Sequence, residues 1–134
     1  MEGFTKAEDH YNEALKLRTE GINEGQRLEL GKVDDIYRVK QGCTTYITGI
    51  PGHGKTELHF EILIRLTKLY DWKHLLESPE TGTPARIVYE LQRKLLNKPE
   101  QEATDTDWEQ AFNIVNNHFF LLDSDKKDLD TIHE

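Results

Sequence analysis

Apolar residues recur along this chain at helical and at strand spacing, and the places where the spacing changes mark its elements. Residues 5–20, "TKAEDHYNEALKLRTE", form a polar helix with a narrow apolar line through Tyr11 and Leu15, joined by Ala7 and Ala14, and Gly21 is its stop signal. Between Gly21 and Gly42 four glycines surround a short helical turn at Val33, Ile36 and Tyr37. The β-branched and aromatic run "CTTYIT", residues 43–48, predicts a strand that "GIPGHG" ends abruptly. Beyond Lys55, residues Leu58, Ile62, Leu63, Leu66 and Leu69 follow helical spacing, with Phe60 off that stripe.

The second half continues the alternation. "WKHLLESPE" predicts a strand around Leu75 and Leu76, closed by Pro79. Thr83 and Pro84 then set up a helix with a capping hydroxyl, whose buried face is Ile87, Val88, Leu91 and Leu95. A further helix has a capping box at Thr106 and Glu109, with Trp108, Phe112 and Val115 inward. "HFFLLD", residues 118–123, is a third strand, and the final "DTIHE" opens another helix. Strands alternating with helices predict an α/β fold with a mainly parallel sheet.

Composition narrows the class. The 134 residues suit one fold unit, with residues 1–30 as a helical linker segment and 31–134 as the main domain. A net charge of −8 disfavours non-specific attraction to phosphate backbones, and no basic stripe with interleaved aromatics is present. The single cysteine, Cys43, excludes an intrachain disulfide and a cysteine metal site. With short apolar runs and no secretory leader, the expectation is a cytoplasmic protein with no membrane partner.

The chemistry concentrates in Gly49–Thr56, "GIPGHGKT", which satisfies G-x-x-x-x-G-K-[ST], the Walker A pattern, between a predicted strand and a predicted helix. Glycines at 49, 52 and 54 let the backbone turn its N–H groups inward around an anion, with Ile50, Pro51 and His53 completing the loop. Lys55 then reaches the β- and γ-phosphates of a triphosphate, and the Thr56 hydroxyl ligates magnesium. Glu80, in "SPE" at a strand end, is the candidate for orienting an attacking water, or else an acidic residue favoured ahead of a helix N-terminus. Asp123 is a weaker candidate for the magnesium carboxylate, since such a residue more often starts a turn. No histidine pair has metal-ligand spacing.

"DDIYRVKQGCTTYITGIPGHGKTE", followed by "SPE" and "HFFLLD", resembles the RecA-like ATPase core of hexameric replicative DNA helicases of the DnaB and Twinkle type, over residues 31–125. The resemblance implies a P-loop three-layer sandwich, ATP and Mg2+ as cofactors, DNA unwinding, and a homo-hexameric ring. It also implies that Lys55 and Thr56 serve the phosphates, that Glu80 activates water, and that the N-terminal helix docks on a neighbouring subunit. His53 stands where the family has a small polar residue. Such cores continue through a magnesium-binding aspartate, DNA-contacting loops and an arginine finger, so the chain resembles the first half of one, apparently truncated and of low activity alone. Two other readings stay open. One is a small-molecule kinase of the P-loop superfamily, which needs an arginine-bearing lid, whereas Arg86 and Arg93 fall on a helix face that normally meets solvent. The other is a non-catalytic interaction module that keeps the loop as structure.

Overall fold

The computed structural model describes residues 3–123. Contacts divide the chain into two units, one through Thr45 and one from Tyr46 onward. The helix expected to open at "DTIHE" lies outside the described residues.

In the first unit a 3-10 turn, Ala7–His10, leads into α1, Tyr11–Glu20. Gly21 ends it with φ of 81°, a left-handed value that glycine takes without a Cβ clash, and its N–H donates to the Leu17 carbonyl. The expected apolar line does not bury: α1 has no buried residue, Tyr11 is exposed and Leu15 only half-buried. So thin a stripe leaves most of each turn polar, so burial would strand more polar surface than apolar surface gained.

A buried carboxylate organises the rest of this unit. Asp34, on the 3-10 turn Gly31–Asp35, accepts the Leu28 N–H at 2.7 Å and the Leu30 N–H at 3.1 Å, and thereby fixes the fully buried Leu28. Gln26 and Val39 form an isolated antiparallel bridge, and Gly25 has no room for a side chain, since a Cβ would come 2.9 Å from the Val39 carbonyl oxygen. The helical turn expected around Val33, Ile36 and Tyr37 is present as Gly31–Asp35, with Val33 and Ile36 exposed. Asp34, two places away from Ile36, takes the inward position because backbone N–H groups satisfy it there.

The second unit is α/β. Helix α2, Lys55–Tyr70, precedes strand β1, His74–Leu76; α3, Pro84–Leu96, and α4, Asp105–His118, follow, and strand β2, Phe119–Leu121, continues directly from α4. The strands pair in parallel, with His74 opposite Phe119 and Leu76 opposite Leu121. Alternation sends His74, Leu76 and Phe119 inward and leaves Leu75 and Phe120 exposed. The sheet has two strands where three were expected: residues 43–48 are exposed, without regular structure and with no ladder partner. Strand propensity without a paired edge does not make a strand, and β1 and β2 bond each other instead.

Phe60, Ile64, Leu76, Ile87, Leu91, Val115 and Phe119 form the core, with Leu63, Val88, Leu95 and Leu121 packed against it. Of the stripe expected on α2, Ile62 and Leu66 are buried and Leu63 packs against the core, whereas Leu58 and Leu69 at its ends face solvent; Phe60, expected off the stripe, and Ile64 join the core. Leu58 and Leu69 satisfy helical spacing too, but aromatic Phe60 buries more area than a leucine and sets the orientation. On α3 the proline stands at the first turn as expected, but Thr83 caps through its carbonyl, accepting from Arg86 and Ile87 N–H, and not through its hydroxyl. The capping box of α4 lies two residues earlier than expected: Thr104 Oγ1 accepts the Asp107 N–H, and the Asp107 carboxylate takes the Thr104 N–H at 2.8 Å. Aspartate is short enough to close the box that was sought at Thr106 and Glu109. Val115 is buried as expected, Trp108 is half-buried and stacks on Tyr89, and Phe112 is exposed, Ala111 taking its inward place.

Leu91→Ala is expected to cost about 2–5 kcal/mol, because Leu91 is wholly enclosed between three helices, whereas Leu75→Ala should stay within about 0.5 kcal/mol; urea unfolding of both variants checks the contrast. A second expectation concerns acid. The Thr104 N–H, then Lys98 and the Thr104 hydroxyl, lower the Asp107 carboxyl to about 2. A carboxyl depressed in the folded state stabilises above its unfolded value of about 3.9 and loses that contribution as pH falls through about 2. Asp107→Asn should therefore flatten the acid limb of the unfolding profile between those values.

Candidate functional site

The loop before α2 is built as a glycine turn. Gly52 and Gly54 have φ of 81° and 82°, and Gly54 is the N-cap of α2, its carbonyl accepting the Leu58 N–H at 2.9 Å. The His53 N–H donates to the Ile50 carbonyl at 3.3 Å, closing a tight turn over Pro51. Residues 49–54 are all exposed. The glycine turn runs directly into a 16-residue helix, whose first turn presents the positive end of the helix dipole.

Lys55 folds back over this loop. Its Nζ donates to the Gly49 carbonyl at 2.9 Å and the Ile50 carbonyl at 3.1 Å, and its stem passes close enough to Gly49 that a Cβ there would touch it at 3.6 Å. The ammonium is thus held at the loop by two carbonyls, where an anion bound to the N–H groups would meet it. Thr56 stands exposed on the first turn of α2. A hydroxyl at this place could serve a hard cation only as one ligand among waters and phosphate oxygens. Among the described residues no three His, Cys, Asp or Glu side chains gather to hold a metal by themselves.

The neighbouring Glu57 was not singled out by sequence reasoning. Lys94 donates to its carboxylate at 2.8 Å, with Arg93 4.0 Å away, and the Lys94 hydrogen bond foremost lowers the Glu57 carboxyl below its usual range. Arg93 was expected to face solvent; it is partly exposed but also meets Glu90 at 2.9 Å and lies 3.9 Å from Glu100. The i, i+3 spacing of Glu90 and Arg93 was the available signal, while the pairing to α2 depends on the packing of two helices.

Glu80 is placed elsewhere. It sits exposed on the 3-10 turn Pro79–Thr81, just before the first residue of α3, whereas the loop end of α2 pairs with Arg93 and Lys94 in the last turn of α3. Asp123 lines a cleft of about 580 Å3 with Ser78, Pro79, Thr83 and Leu122, at the carboxyl ends of both strands. Cys43 is exposed rather than a buried strand residue, because its segment has no partner.

No family model, no curated protein and no solved structure matches the chain. No described helix is long and apolar enough to cross a membrane.

Gly54→Ala is expected to destabilise the α2 N-terminus by about 1–2 kcal/mol, since a Cβ is strained at a left-handed φ, while Gly49→Ala, which lacks a positive φ, should cost less. Thermal unfolding of the two variants measures the difference.

Proposed function

We propose that residues Gly49–Thr56 bind the phosphates of MgATP and that the chain is the ATP-binding portion of a motor of the replicative DNA helicase type. The observation that carries this reading is the Lys55 ammonium held over an exposed left-handed glycine turn at the N-terminus of α2. A phosphate chain replaces the two carbonyls as the acceptor of Lys55, and the loop N–H groups take its remaining oxygens. Thr56 supplies one magnesium ligand. The wider helicase reading, with its P-loop sandwich, hexameric ring and DNA partner, rests on the sequence resemblance alone.

Turnover is a separate matter. In this reading Glu80 orients the attacking water, which requires its turn to come within hydrogen-bond reach of the γ-phosphate. Residues 43–48, which precede the loop, have no ladder partner, so no continuous sheet carries the loop and Glu80 to one edge, and in this reading the isolated chain binds nucleotide without hydrolysing it at an appreciable rate. The same unpaired stretch favours a second reading, a nucleotide-binding module without catalysis.

Isothermal titration of MgATP into the purified chain tests the site. Saturable binding is expected, and Lys55→Ala should weaken it by at least about tenfold, because hydrogen bonds to charged groups contribute about 1.5–3 kcal/mol. Equal affinity in the two proteins, or none in a folded wild type, overturns the assignment. Steady-state turnover with and without DNA, in wild type and Glu80→Gln, then separates motor from module: only a motor loses turnover while it keeps binding.

A further inference from the structure

The last residue of α4 is held by two acceptors at once. His118 Nδ1 lies 2.9 Å from the Ile114 carbonyl and Nε2 lies 2.6 Å from Asp71 Oδ1. A carbonyl and an ionised carboxylate accept only, and a neutral imidazole has a single N–H, so it satisfies one of them; the imidazolium satisfies both.

The place of this contact gives it leverage. Asp71 is the left-handed C-cap of α2, with φ of 57°, and three residues later β1 begins at His74. Phe119, the residue after His118, begins β2 and stands opposite His74 in the ladder. One ion-paired hydrogen bond therefore joins the ends of two helices at the point where both strands start.

The other charged and titratable groups facing it are Lys73, whose charge opposes the imidazolium, and His74. His74 Nε2 lies 3.0 Å from Thr67 Oγ1, and that hydroxyl donates to the Leu63 carbonyl at 3.0 Å. Burial, before the charge of His118, lowers the His74 imidazole, against a raising contribution from the Leu63 carbonyl.

We propose that His118 is a proton-operated clamp: as an imidazolium it fastens the end of α4 to the cap of α2 and fixes the start of the parallel strand pair, and loss of its proton releases Asp71 and loosens that end. The Asp71 hydrogen bond, then the Ile114 carbonyl, raise the His118 imidazole above its ordinary value. A group raised on folding contributes its full stabilisation below the unfolded value of about 6.5 and loses it as pH rises through the folded value. The clamp therefore opens on the alkaline side of the ordinary imidazole range. Because Asp71 is largely exposed, salt weakens the contact as well.

The test uses the full chain. Histidine ring resonances are followed by NMR through neutral pH, with His118→Gln assigning the His118 signal, and urea midpoints are taken near pH 6 and pH 8.5 for wild type and Asp71→Asn. Asparagine keeps the left-handed cap and removes the carboxylate charge. His118 is expected to titrate above about 6.5 and His74 below it, and the midpoint advantage of wild type over Asp71→Asn should shrink as pH rises. A His118 titration at or below the ordinary value, or an advantage that does not change with pH, overturns the proposal. Should Asp71→Asn not fold, the wild-type titration decides alone, together with its salt dependence: added salt lowers the His118 midpoint if Asp71 holds the proton.

Discussion

Burial of Ile87 and Leu91 on α3, between α2, α4 and the inner face of the sheet, is the constraint on which the second unit depends. Two three-residue strands cannot hold themselves together in water, because so short a ladder leaves most backbone groups to solvent and buries too little area. Their inner residues Leu76 and Phe119 are covered by the same cluster that α3 organises, so the sheet is a consequence of helix packing more than its cause. Each of those side chains is worth about 1.5–3 kcal/mol when removed from water, more than the half to one and a half kcal/mol typical of one ladder hydrogen bond. The energetic order is thus helices first and strands second.

That order explains how the loop is presented. Phe60 and Ile64 anchor α2 one turn and two turns beyond the loop, which lets residues 49–54 stand exposed without unravelling the helix they cap. The Glu57–Lys94 pair adds a tether from the first turn of α2 to the end of α3. It is partly exposed, so its worth lies in direction more than in stability. Lys55 is left with carbonyl partners only, and carbonyls are weaker acceptors for an ammonium than phosphate oxygens. In the proposed reading, a local array of N–H groups would hold an anion against the unfavourable overall field of a chain with net charge −8.

Helix positions and the loop were legible because their signals are local. Glycines with a lysine and hydroxyl at fixed offsets, Gly21 as a stop, Pro84 at a first turn, and apolar spacing on α3 each depend on a few neighbouring residues. What was not legible depends on distant partners. "CTTYIT" has strand composition, yet strand formation needs an edge to bond, and the sequence does not say which edge is open. The inward face of α2 could not be chosen between a leucine line and Phe60 until the surface it packs on was known. The capping box was displaced because two overlapping Thr-x-x-acid patterns, at 104 and 106, compete and the pairing of Lys98 with Asp107 adds to the first. Asp34, the buried centre of the first unit, left no signal in the local pattern, since buried aspartates are rare.

The relation between the loop and Glu80 follows from the same logic. Both were placed at strand ends by sequence, and strand ends gather at one edge when the strands lie side by side in a single parallel sheet. Here the stretch before the loop is unpaired, so nothing in the ladder brings Gly49 to the edge where β1 and β2 end. The loop is positioned instead by the helix that follows it, and Glu80 by the strand that precedes it. Phosphate binding needs only the helix and its glycines, whereas water activation needs the ladder to be continuous through residues 43–48. In the proposed reading, binding and hydrolysis therefore have separate structural requirements: the first calls on α2 and its glycines, the second on a ladder that residues 43–48 do not join.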